Sequence, residues 1–254
     1  MTWALITGAS RGLGKEFATQ LAERGHSLVL VARTTHALDA IADELRGAGT
    51  EVVVKTVDLA SAAERDQLAG ELDAEGIVID VLVNNAGFGT VGDFVTTDAD
   101  TLGDEVEVNV AALAHLCRVF APAMVEAGSG SIINVASTAA FQPVPGMALY
   151  AATKSFVLSF SQALWSELKP HGVKVIALCP GPTDTAFFHH AGDDGVMTRR
   201  RTPEQAVSAA FKGLDRGVPH VVDGALNAVQ AAVAKAAPAR IAIPVARAVA
   251  RRGE

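Results

Sequence analysis

The sequence predicts an α/β fold in which a parallel sheet carries helices on both faces. Short apolar runs rich in β-branched residues alternate with longer amphipathic or alanine-rich segments, which is typical of parallel strands joined by right-handed crossovers. Most of the apolar runs are continuous, as in strands that are buried on both faces. Gly25 and Gly49 follow the first two helical segments, where glycine commonly ends a helix.

The predicted elements follow one another without a break up to about Gly224. The strands are Trp3–Thr7, Ser27–Ala32, Glu51–Val57, Val81–Asn84, Ser131–Ala136, Lys174–Leu178 and His220–Val222. The helices are Leu13–Arg24, Thr35–Ala48, Ala62–Glu75, Asp104–Ala127, Leu149–Lys169 and Pro203–Arg216. No linker or repeat separates them, so residues 1–224 are expected to form one domain. Residues 225–254 are interpreted as a basic, alanine-rich C-terminal extension.

Composition narrows the class of protein. Half of the 254 residues are hydrophobic, enough for one large core, and the net charge of −7 argues against nucleic acid as the main partner. Cys117 and Cys179 lie in apolar sequence and have no disulfide or metal spacing, so they are expected to be core thiols. The sequence predicts no transmembrane span and no signal peptide, and we therefore expect a cytoplasmic protein.

The turn after the first strand runs from Thr7 to Gly14 and contains Gly8, Gly12 and Gly14. Glycines here permit a tight turn and a close approach of the backbone to a phosphate at a helix N-terminus. The spacing differs from the Gly-x-Gly-x-x-Gly pattern of the common dinucleotide fingerprint. Its position between a first strand and a helix favours a phosphate-binding turn over an ordinary one.

The next three strands also end in residues whose side chains can bind a ligand. Arg33 follows the second strand, where a site selective for NAD would carry an acid, although a solvated charge is the competing interpretation. Asp58 follows the third strand. Its carboxylate can accept a hydrogen bond from an adenine amine or cap the next helix, and Ser61 is the other candidate for that cap. The sequence from Asn84 to Gly87 suits a turn stabilised by side-chain hydrogen bonds to the backbone, which is a structural alternative.

The last two turns complete the pattern. Ser137 follows the fifth strand, and the next helix carries Tyr150 and Lys154, which lie on one face at this spacing. A nearby ammonium favours the phenolate and is expected to lower the pKa of the tyrosine, although such pairs often only cover a helix surface. Pro180 and Gly181 follow the sixth strand. All these residues are at the carboxyl ends of parallel strands, where open α/β sheets bind ligands.

This ordered set of motifs resembles the short-chain dehydrogenase/reductase family in its single-domain form of about 250 residues. The resemblance covers residues 3–224 and rests on the glycine turn, the segment Asn84–Gly87, Ser137, the Tyr150/Lys154 pair and Pro180-Gly181. It implies a Rossmann-type, doubly wound, seven-stranded parallel sheet. It also implies an NAD(P)-dependent oxidoreductase that acts on CH–OH or C=O groups.

The resemblance implies a role for each of four catalytic residues. Tyr150 is the general acid/base, and Lys154 lowers its pKa while binding the nicotinamide ribose. Ser137 hydrogen-bonds the substrate oxygen, and Asn109 holds a water in a proton relay. Hydride transfer itself is the chemistry of the cofactor.

The resemblance likewise implies a cofactor site along the strand ends. Gly8, Gly12 and Gly14 would hold the pyrophosphate, Asp58 the adenine and Thr183 the carboxamide, while Asn85 lies along the cofactor. The full predicted set is Gly8, Ser10, Arg11, Gly12, Leu13, Gly14, Arg33, Asp58, Leu59, Asn85, Ala86, Gly87, Tyr150, Lys154, Pro180, Gly181, Thr183 and Thr185.

The charge beside the adenosine ribose predicts NADPH rather than NADH. No acid ends the second strand, where Ala32 and Arg33 stand, and Arg11 can reach the same region from the glycine turn. Guanidinium groups match phosphate in a bidentate fork. Asp39 is too far along the next helix to replace the missing acid. The alternative is that Arg33 points into solvent and both cofactors are used.

The substrate is expected to contact residues 88–94, residues 137–147 and the stretch after Pro180. The individual candidates are Ser137, Gln142, Met147, Tyr150 and Phe187. Their apolar character fits a 3-oxoacyl thioester, a steroid-like ketone, a polyketide or a small ketone. His189 and His190 have no carboxylates at a useful spacing, so no metal is expected.

Two other functions fit the same motifs. One is a secondary-alcohol dehydrogenase that works with NAD, and the other is a non-catalytic dinucleotide-binding regulator. A regulator does not need a proton donor, and the chain retains Tyr150, Lys154, Ser137 and Asn109. The sequence therefore favours an enzyme, and most of all an NADPH-dependent carbonyl reductase.

The resemblance also suggests a homodimer or homotetramer. Its interface would be formed by the helices containing residues 109–125 and 150–169, with Ala151, Ala152 and Ser155 allowing close approach. The extension has five basic residues against Glu254 alone. Its composition fits weak attachment to anionic membranes, but its two prolines limit a continuous helix, and a protein contact is preferred.

Overall fold

Seven parallel strands form one sheet in the computed structural model, which describes residues 2–184 and 200–250 of the protein. The strands are β1 (Trp3–Thr7), β2 (Ser27–Ala32), β3 (Val52–Thr56), β4 (Ile79–Asn84), β5 (Gly130–Val135), β6 (Val173–Cys179) and β7 (His220–Val222). Their order is β3-β2-β1-β4-β5-β6-β7, and each neighbouring pair is parallel. The predicted doubly wound Rossmann-type sheet is confirmed.

Helices cover both faces of this sheet. Those of the described residues are α1 (Gly12–Glu23), α2 (Thr35–Gly47), α3 (Ala62–Ala74), α4 (Ala99–Val106), α5 (Leu113–Ala127), α6 (Ala148–Leu168), α7 (Pro203–Asp215), α8 (Ala225–Ala236) and α9 (Ala239–Ala250). A π-helical segment, Glu107–Ala112, joins α4 to α5, and a 3-10 turn, Thr138–Phe141, precedes α6.

The core consists of two apolar layers because successive strand side chains point to opposite faces. In β1, Ile6 belongs to the layer beneath α1, α2 and α7, whereas Leu5 belongs to the layer beneath α3, α5 and α6. Large buried side chains of the helices complete each layer: Phe17, Leu38 and Phe211 in the first and Leu68, Leu116 and Val157 in the second. Strands buried on both faces explain the continuous apolar runs of the sequence.

One predicted helix differs from the structure. The expected helix Asp104–Ala127 begins earlier, at Ala99, and a π-helical segment interrupts it. The earlier start follows from Asp98, whose side chain accepts a hydrogen bond from the Thr101 amide at 2.9 Å and caps α4. The other predicted helix bounds agree with the structure to within one residue.

The stretch Ala99–Ala127 is also long and apolar enough, by length and composition alone, to cross a membrane. In this fold α5 packs against β4 and β5, and its Leu116, Cys117 and Met124 are buried in the second core layer. The apolar character of α5 is therefore explained by its position against the sheet.

Strand β4 begins at Ile79, two residues before the predicted start at Val81. Asp80 interrupts the apolar pattern there, yet its carboxylate accepts a hydrogen bond from the Trp3 backbone N–H at 2.8 Å. The acidic side chain thus anchors the start of β1 from the neighbouring strand. The remaining strand bounds agree with the predictions to within one residue.

The extension contains α8 and α9, for which no helix bounds were predicted. Pro238 lies between them, as the expectation of an interrupted helix requires, whereas Pro244 lies inside α9. Helix α8 contacts β7 and the 3-10 turn Thr138–Phe141. The division of the chain at Gly224 remains a prediction, and the packing of α8 brings the extension next to the strand ends.

Candidate active site

The glycine turn and the end of β4 form one tightly packed unit. Gly8 and Gly12 have positive φ angles of 64° and 56°, which glycine adopts without strain. A Cβ at Gly8 would lie 2.9 Å from the Ala86 Cα, and one at Gly14 would collide with the Gly8 carbonyl. These glycines are needed because two backbone segments meet here.

Asn85 and Thr7 hold this unit together. The Asn85 side-chain amide donates to the Thr7 and Gly8 carbonyls at 2.9 and 3.1 Å. The Thr7 hydroxyl oxygen accepts from the backbone N–H groups of Asn85 and Ala86, both at 3.0 Å. The sequence left a structural role open for Asn85, and these bonds give it one: Asn85 fixes the turn in which its predicted cofactor contact would be made.

The amino end of α1 suits an anion. Arg11 occupies the N-cap position without a side-chain cap hydrogen bond, and the first turn holds no acidic residue. The amino-terminal N–H groups and the helix dipole therefore present a positive end at the strand edge. Ser10 and Leu13, which the sequence also predicts to bind cofactor, are partly buried beside it.

The ends of β2 and β3 carry the predicted adenosine-binding residues. Arg33 is exposed directly after β2, and Asp39 is exposed in α2. Ser61, not Asp58, caps α3 by accepting from the Glu64 amide at 3.3 Å, which resolves the open choice between them. The Asp58 carboxylate instead accepts from the Ala60 amide at 3.0 Å. The neighbouring Leu59 is buried in the second core layer.

Ser137 and Tyr150 meet beyond the end of β5. Ser137 is the N-cap of the 3-10 turn Thr138–Phe141, and its hydroxyl accepts from the Ala139 amide at 3.1 Å. Tyr150 lies in the first turn of α6, and its phenol forms a hydrogen bond with the Ser137 side chain. The tertiary structure thus pairs two hydroxyl groups that are 13 positions apart in the chain.

Lys154 lies one helical turn beyond Tyr150 and is buried. Its ammonium donates to the Val135 carbonyl at 2.9 Å, and its Nζ lies 5.8 Å from the centre of the Tyr150 ring. Burial lowers the pKa of Lys154 to about 8, against the opposing effect of Glu105 and Cys179. Most of the population remains charged at neutral pH because that value lies above 7.

The expected lowering of the Tyr150 pKa by Lys154 is wrong for this structure. Burial raises the pKa of Tyr150 to about 12, and the negative charge of Glu105 acts in the same direction, while the hydrogen bond from Ser137 opposes them. Desolvation disfavours the phenolate more than the surrounding groups stabilise it. The phenol is therefore protonated at neutral pH.

Asn109 lies in the π-helical segment and binds the loop after β4. Its side chain accepts from the Phe88 amide at 3.1 Å and donates to the Phe88 carbonyl at 2.8 Å. The same amide group donates to the Thr153 hydroxyl at 3.1 Å. A Cβ at Gly87 would lie 2.8 Å from Asn109 Oδ1 and 3.2 Å from Lys154 Nζ. Asn109 therefore lies beside the predicted catalytic residues, while its water-holding role stays a prediction.

The sequence analysis missed Glu105, and it placed Gly89 in the predicted substrate stretch 88–94 without its contact to Tyr150. Glu105 is fully buried in α4, and its carboxylate accepts from the backbone N–H and the hydroxyl of Thr90 at 3.0 and 2.8 Å. A Cβ at Gly89 would lie 2.6 Å from Tyr150 Cδ2. Neither residue belongs to a predicted motif. The available signal was an acid four positions before Asn109, where the apolar pattern of a packed helix favours a hydrophobic residue.

The end of β6 closes the site from the other side. The Pro180 carbonyl accepts from the Thr138 amide at 2.9 Å, and the side chain of Asn227 in α8 packs against Gly181. Thr183 is buried, and its hydroxyl donates to the Gly181 carbonyl at 3.0 Å. The predicted contacts Thr185 and Phe187 lie outside the described residues, as do His189 and His190.

A cavity of about 180 Å³ lies between the loop after β4 and the start of α6. Its lining is Thr90, Gly92, Asp93, Phe94, Thr97, Leu102, Gly146, Ala148 and Leu149. The predicted stretch 88–94 therefore reaches this cavity. Gln142 and Met147 are partly buried nearby but are not part of its lining.

Other reactive side chains are inert where the structure describes them. Cys117 and Cys179 are free and buried, and burial raises the pKa of each thiol to about 12. The part of the chain that is described contains no group of three or more His, Cys, Asp or Glu side chains that could hold a metal ion. The reactive groups at the strand ends are thus the two hydroxyls and the buried ammonium.

Comparison with known proteins agrees with this geometry. Residues 2–195 match the family model described as short chain dehydrogenase. The chain is 37% identical over 220 residues to the very-long-chain 3-oxoacyl-CoA reductase of Phaeosphaeria nodorum, covering 85% of this chain and 64% of that protein. The chain therefore spans less than two thirds of the length of this curated relative.

Two solved structures are also similar. A short-chain dehydrogenase from Sphingobium yanoikuyae in complex with NADPH is 35% identical, with a TM-score of 0.83 and coverage of 94% of this chain and 97% of that one. A bulky-bulky ketone specific alcohol dehydrogenase from Comamonas testosteroni is 32% identical, with a TM-score of 0.79 and coverage of 94% and 95%. Motifs, fold and strand-end geometry agree with these matches: the chain belongs to the short-chain dehydrogenase/reductase family.

Proposed function

We propose that this protein is an NADPH-dependent carbonyl reductase that transfers hydride to a ketone or 3-oxoacyl-type substrate. The observation that carries the proposal is the hydrogen bond between Ser137 and Tyr150 beside the buried ammonium of Lys154. Two hydroxyl donors next to a cation can stabilise the negative charge that develops on a carbonyl oxygen during reduction. Tyr150 then passes its proton to that oxygen.

Tyr150 is protonated at neutral pH, which is the form that donates a proton in reduction. A phenol with a pKa of about 12 holds its proton at neutral pH and can donate it, whereas oxidation of an alcohol needs a proton acceptor. Ser137 contributes a second hydrogen bond to the same oxygen. The hydrogen bond from Ser137 favours the phenolate that remains after proton transfer, and the Lys154 ammonium, bound to the Val135 carbonyl, lies 5.8 Å from the centre of the ring.

The strand ends fit a nicotinamide dinucleotide, which supplies the hydride when bound. The uncapped amino end of α1 suits its pyrophosphate, and the close packing of Gly8, Gly14 and Asn85 gives the turn its shape. Lys154 would hold the nicotinamide ribose. Arg33, Arg11 and the lack of an acid at the end of β2 support NADPH, and the similar Sphingobium structure is in complex with NADPH.

For the substrate we propose a 3-oxoacyl thioester. The curated relative from Phaeosphaeria nodorum is a very-long-chain 3-oxoacyl-CoA reductase. The cavity beside the start of α6 is lined in part by the apolar side chains of Phe94, Leu102 and Leu149. Leu149 directly precedes Tyr150 in the chain. An acyl chain in this cavity would bring a 3-oxo group near the two hydroxyls.

A carbonyl panel tests this function directly. Purified protein is given NADPH or NADH with 3-oxoacyl-CoA esters of increasing chain length, bulky ketones and small ketones, and loss of reduced-nicotinamide absorbance is followed. We expect the highest kcat/KM for a 3-oxoacyl ester with NADPH. Preference for a bulky ketone would replace the proposed substrate, and turnover with NAD and a secondary alcohol alone would replace the proposed direction.

We also propose a cytoplasmic homo-oligomer formed through α5 and α6. On α6 the exposed Ala152 and Ser155 support close approach of a second helix, whereas Ala151, the third predicted residue, is buried within its own chain. Phe156 is 38% exposed and stacks on Phe160 at 5.6 Å, which gives this face an apolar centre. Covering such a face is a common reason for self-association.

A further inference from the structure

Glu105 is a buried acid beside the active site that the proposed mechanism does not use. Both of its hydrogen bonds hold Thr90, through the backbone N–H and the hydroxyl, and both end on Oε2. Among the residues that the structure describes, its Oε1 has no hydrogen-bond partner. A fully buried carboxylate with one unpartnered oxygen lowers stability, so a role in the active site would explain its presence.

Two side chains of one helical face clamp the loop after β4. Glu105 binds Thr90, and Asn109, four positions further on, binds both backbone groups of Phe88. Residues four apart on a helix lie on the same face. We name Phe88–Thr90 the clamped segment. Its middle residue, Gly89, lies against the Tyr150 ring so closely that a Cβ would be 2.6 Å from Cδ2.

The charge of Glu105 also reaches the catalytic pair. It raises the pKa of Lys154 and of Tyr150, so it favours the ammonium and the protonated phenol together. Burial raises the pKa of Glu105 itself, while Lys154 and the Thr90 bonds lower it. Among the described residues, the titratable side chains coupled to Glu105 are Tyr150 and Lys154 on α6. Glu107 of the adjoining π-helical segment pairs with Arg65 instead, and Phe88–Thr90 contributes no titratable group.

We propose that Glu105 is a positioning residue for Tyr150 and Lys154. Its carboxylate holds Thr90 so that Gly89 packs against the Tyr150 ring, and its negative charge keeps the Lys154 ammonium and the Tyr150 phenol in the forms that reduction requires. This role rests on the proposed function for its catalytic consequence. Its effect on Tyr150 is a property of the folded protein and is measurable without substrate.

The first variant is Glu105→Gln, which has nearly the same shape and can still accept both Thr90 hydrogen bonds. Loss of the charge is expected to move the alkaline limb of the pH profile of kcat/KM to lower pH by roughly one unit, the lower end of the effect of a nearby charge. Asp104→Asn is the matched control, because Asp104 is the exposed neighbour on the same helix. Its profile is expected to coincide with that of the wild type.

A second variant separates positioning from charge. Thr90→Val keeps the carboxylate and the backbone hydrogen bond but removes the hydroxyl bond. We expect a lower kcat and an unshifted alkaline limb. If Thr90→Val shifts the limb as far as Glu105→Gln does, loop position rather than charge sets the profile, and the proposal is overturned.

Tyr150 is the only tyrosine in the chain, so its ionisation is measurable by ultraviolet absorbance without any activity. Circular dichroism over the same pH range identifies the folded protein, and Tyr150→Phe supplies the blank. We expect the Tyr150 midpoint in Glu105→Gln to lie below that of wild type. Coincident titration curves overturn the proposal, whereas a shifted curve in a protein without carbonyl reductase activity would retain it and reject only the proposed function.

Discussion

At the residue scale, burial makes the Tyr150 phenol hold its proton more strongly. The pKa rises from 10.0 to about 12, which corresponds to roughly 3 kcal/mol in favour of the protonated phenol. The expectation from the sequence used only the charge of Lys154, but the Nζ is 5.8 Å from the centre of the ring and is itself desolvated. The buried Tyr150 is therefore a neutral phenol and the buried Lys154 is mostly an ammonium, which are the forms suited to proton donation.

Replacing the proton donor is the first prediction at this scale. Tyr150→Phe keeps the ring against Gly89 but removes the hydroxyl. We expect turnover to fall by at least about 10²-fold, as for loss of a general acid, while the affinity for NADPH measured by fluorescence is retained. Near-normal turnover in this variant would remove Tyr150 from its assigned role.

The second prediction concerns the exposed cation after β2. Arg33→Ala is expected to reduce kcat/KM with NADPH by about 1.5–3 kcal/mol, the scale of a charge-assisted hydrogen bond, and to change NADH use little. Arg216→Ala, an exposed arginine at the end of α7, is the matched control. Equal use of both cofactors by the wild type, or equal losses in Arg33→Ala, would refute the assignment.

At the element scale, the π-helical segment and the loop after β4 act as one unit. Asn109 holds Phe88 from the π-helical segment, and Glu105 holds Thr90 from α4. Short π-helical segments are rare and occur often at functional sites. Here the segment lies where a helix of the core must also present polar side chains to a loop.

A pair of glycine substitutions tests the position of this loop. Gly89→Ala places a Cβ 2.6 Å from the Tyr150 ring, so the ring must move, and kcat is expected to fall by roughly 10- to 100-fold. Gly103→Ala in α4 has no atom within 4 Å of the added Cβ and is expected to stabilise the helix by about 1 kcal/mol without affecting kcat. Thermal unfolding and steady-state kinetics measure both. Full activity in Gly89→Ala would show that the ring position is not critical.

A buried polar chain links β4 and β5 to α6. The Asn84 amide donates to the Asn134 side-chain oxygen at 2.9 Å, and the Asn134 amide donates to the Ser161 hydroxyl at 2.9 Å. Asn84 and Asn134 are register partners of the two strands. Hydrogen bonds between buried groups are directional, so this chain favours one register and one position of the helix that carries Tyr150.

At the scale of the whole molecule, the C-terminal extension has one side that is buried and another side that is exposed. Ala231, Ala242 and Ala246 are buried, while Val229 and Val233 on α8 are 61% and 64% exposed. The exposed apolar side chains and the basic residues of the extension leave a face that can meet a second subunit. The buried side instead supports Gly181 through Asn227 and the 3-10 turn Thr138–Phe141.

Two changes to the extension test the buried side and the exposed side separately. Truncation after Gly224 is expected to alter sedimentation and also to lower the unfolding temperature, because it removes the packing beside Gly181. The double variant Val229→Glu and Val233→Glu keeps that packing and is expected to alter sedimentation alone. Ala232→Glu is an exposed control on the same helix. If oligomeric state is unchanged in every variant but liposome binding is lost, a membrane contact replaces the protein contact.

The amino-acid sequence alone was enough to predict the sheet, the order of its elements and the residues at its ligand-binding edge. Continuous apolar runs identify strands buried on both faces, and motifs at fixed positions in the chain identify Ser137, Tyr150 and Lys154. These features are local or ordered along the chain. A reader of the sequence can therefore recognise them without knowing any distance.

The roles of Glu105, Gly89 and Asn227 and the direction of the Tyr150 pKa shift depend on three-dimensional packing. Each depends on groups that are distant in sequence or on the depth of burial. Desolvation and close packing arise when separate elements come together, and no local pattern encodes their magnitude. The sequence thus named the reacting groups, and the fold set their protonation and their neighbours.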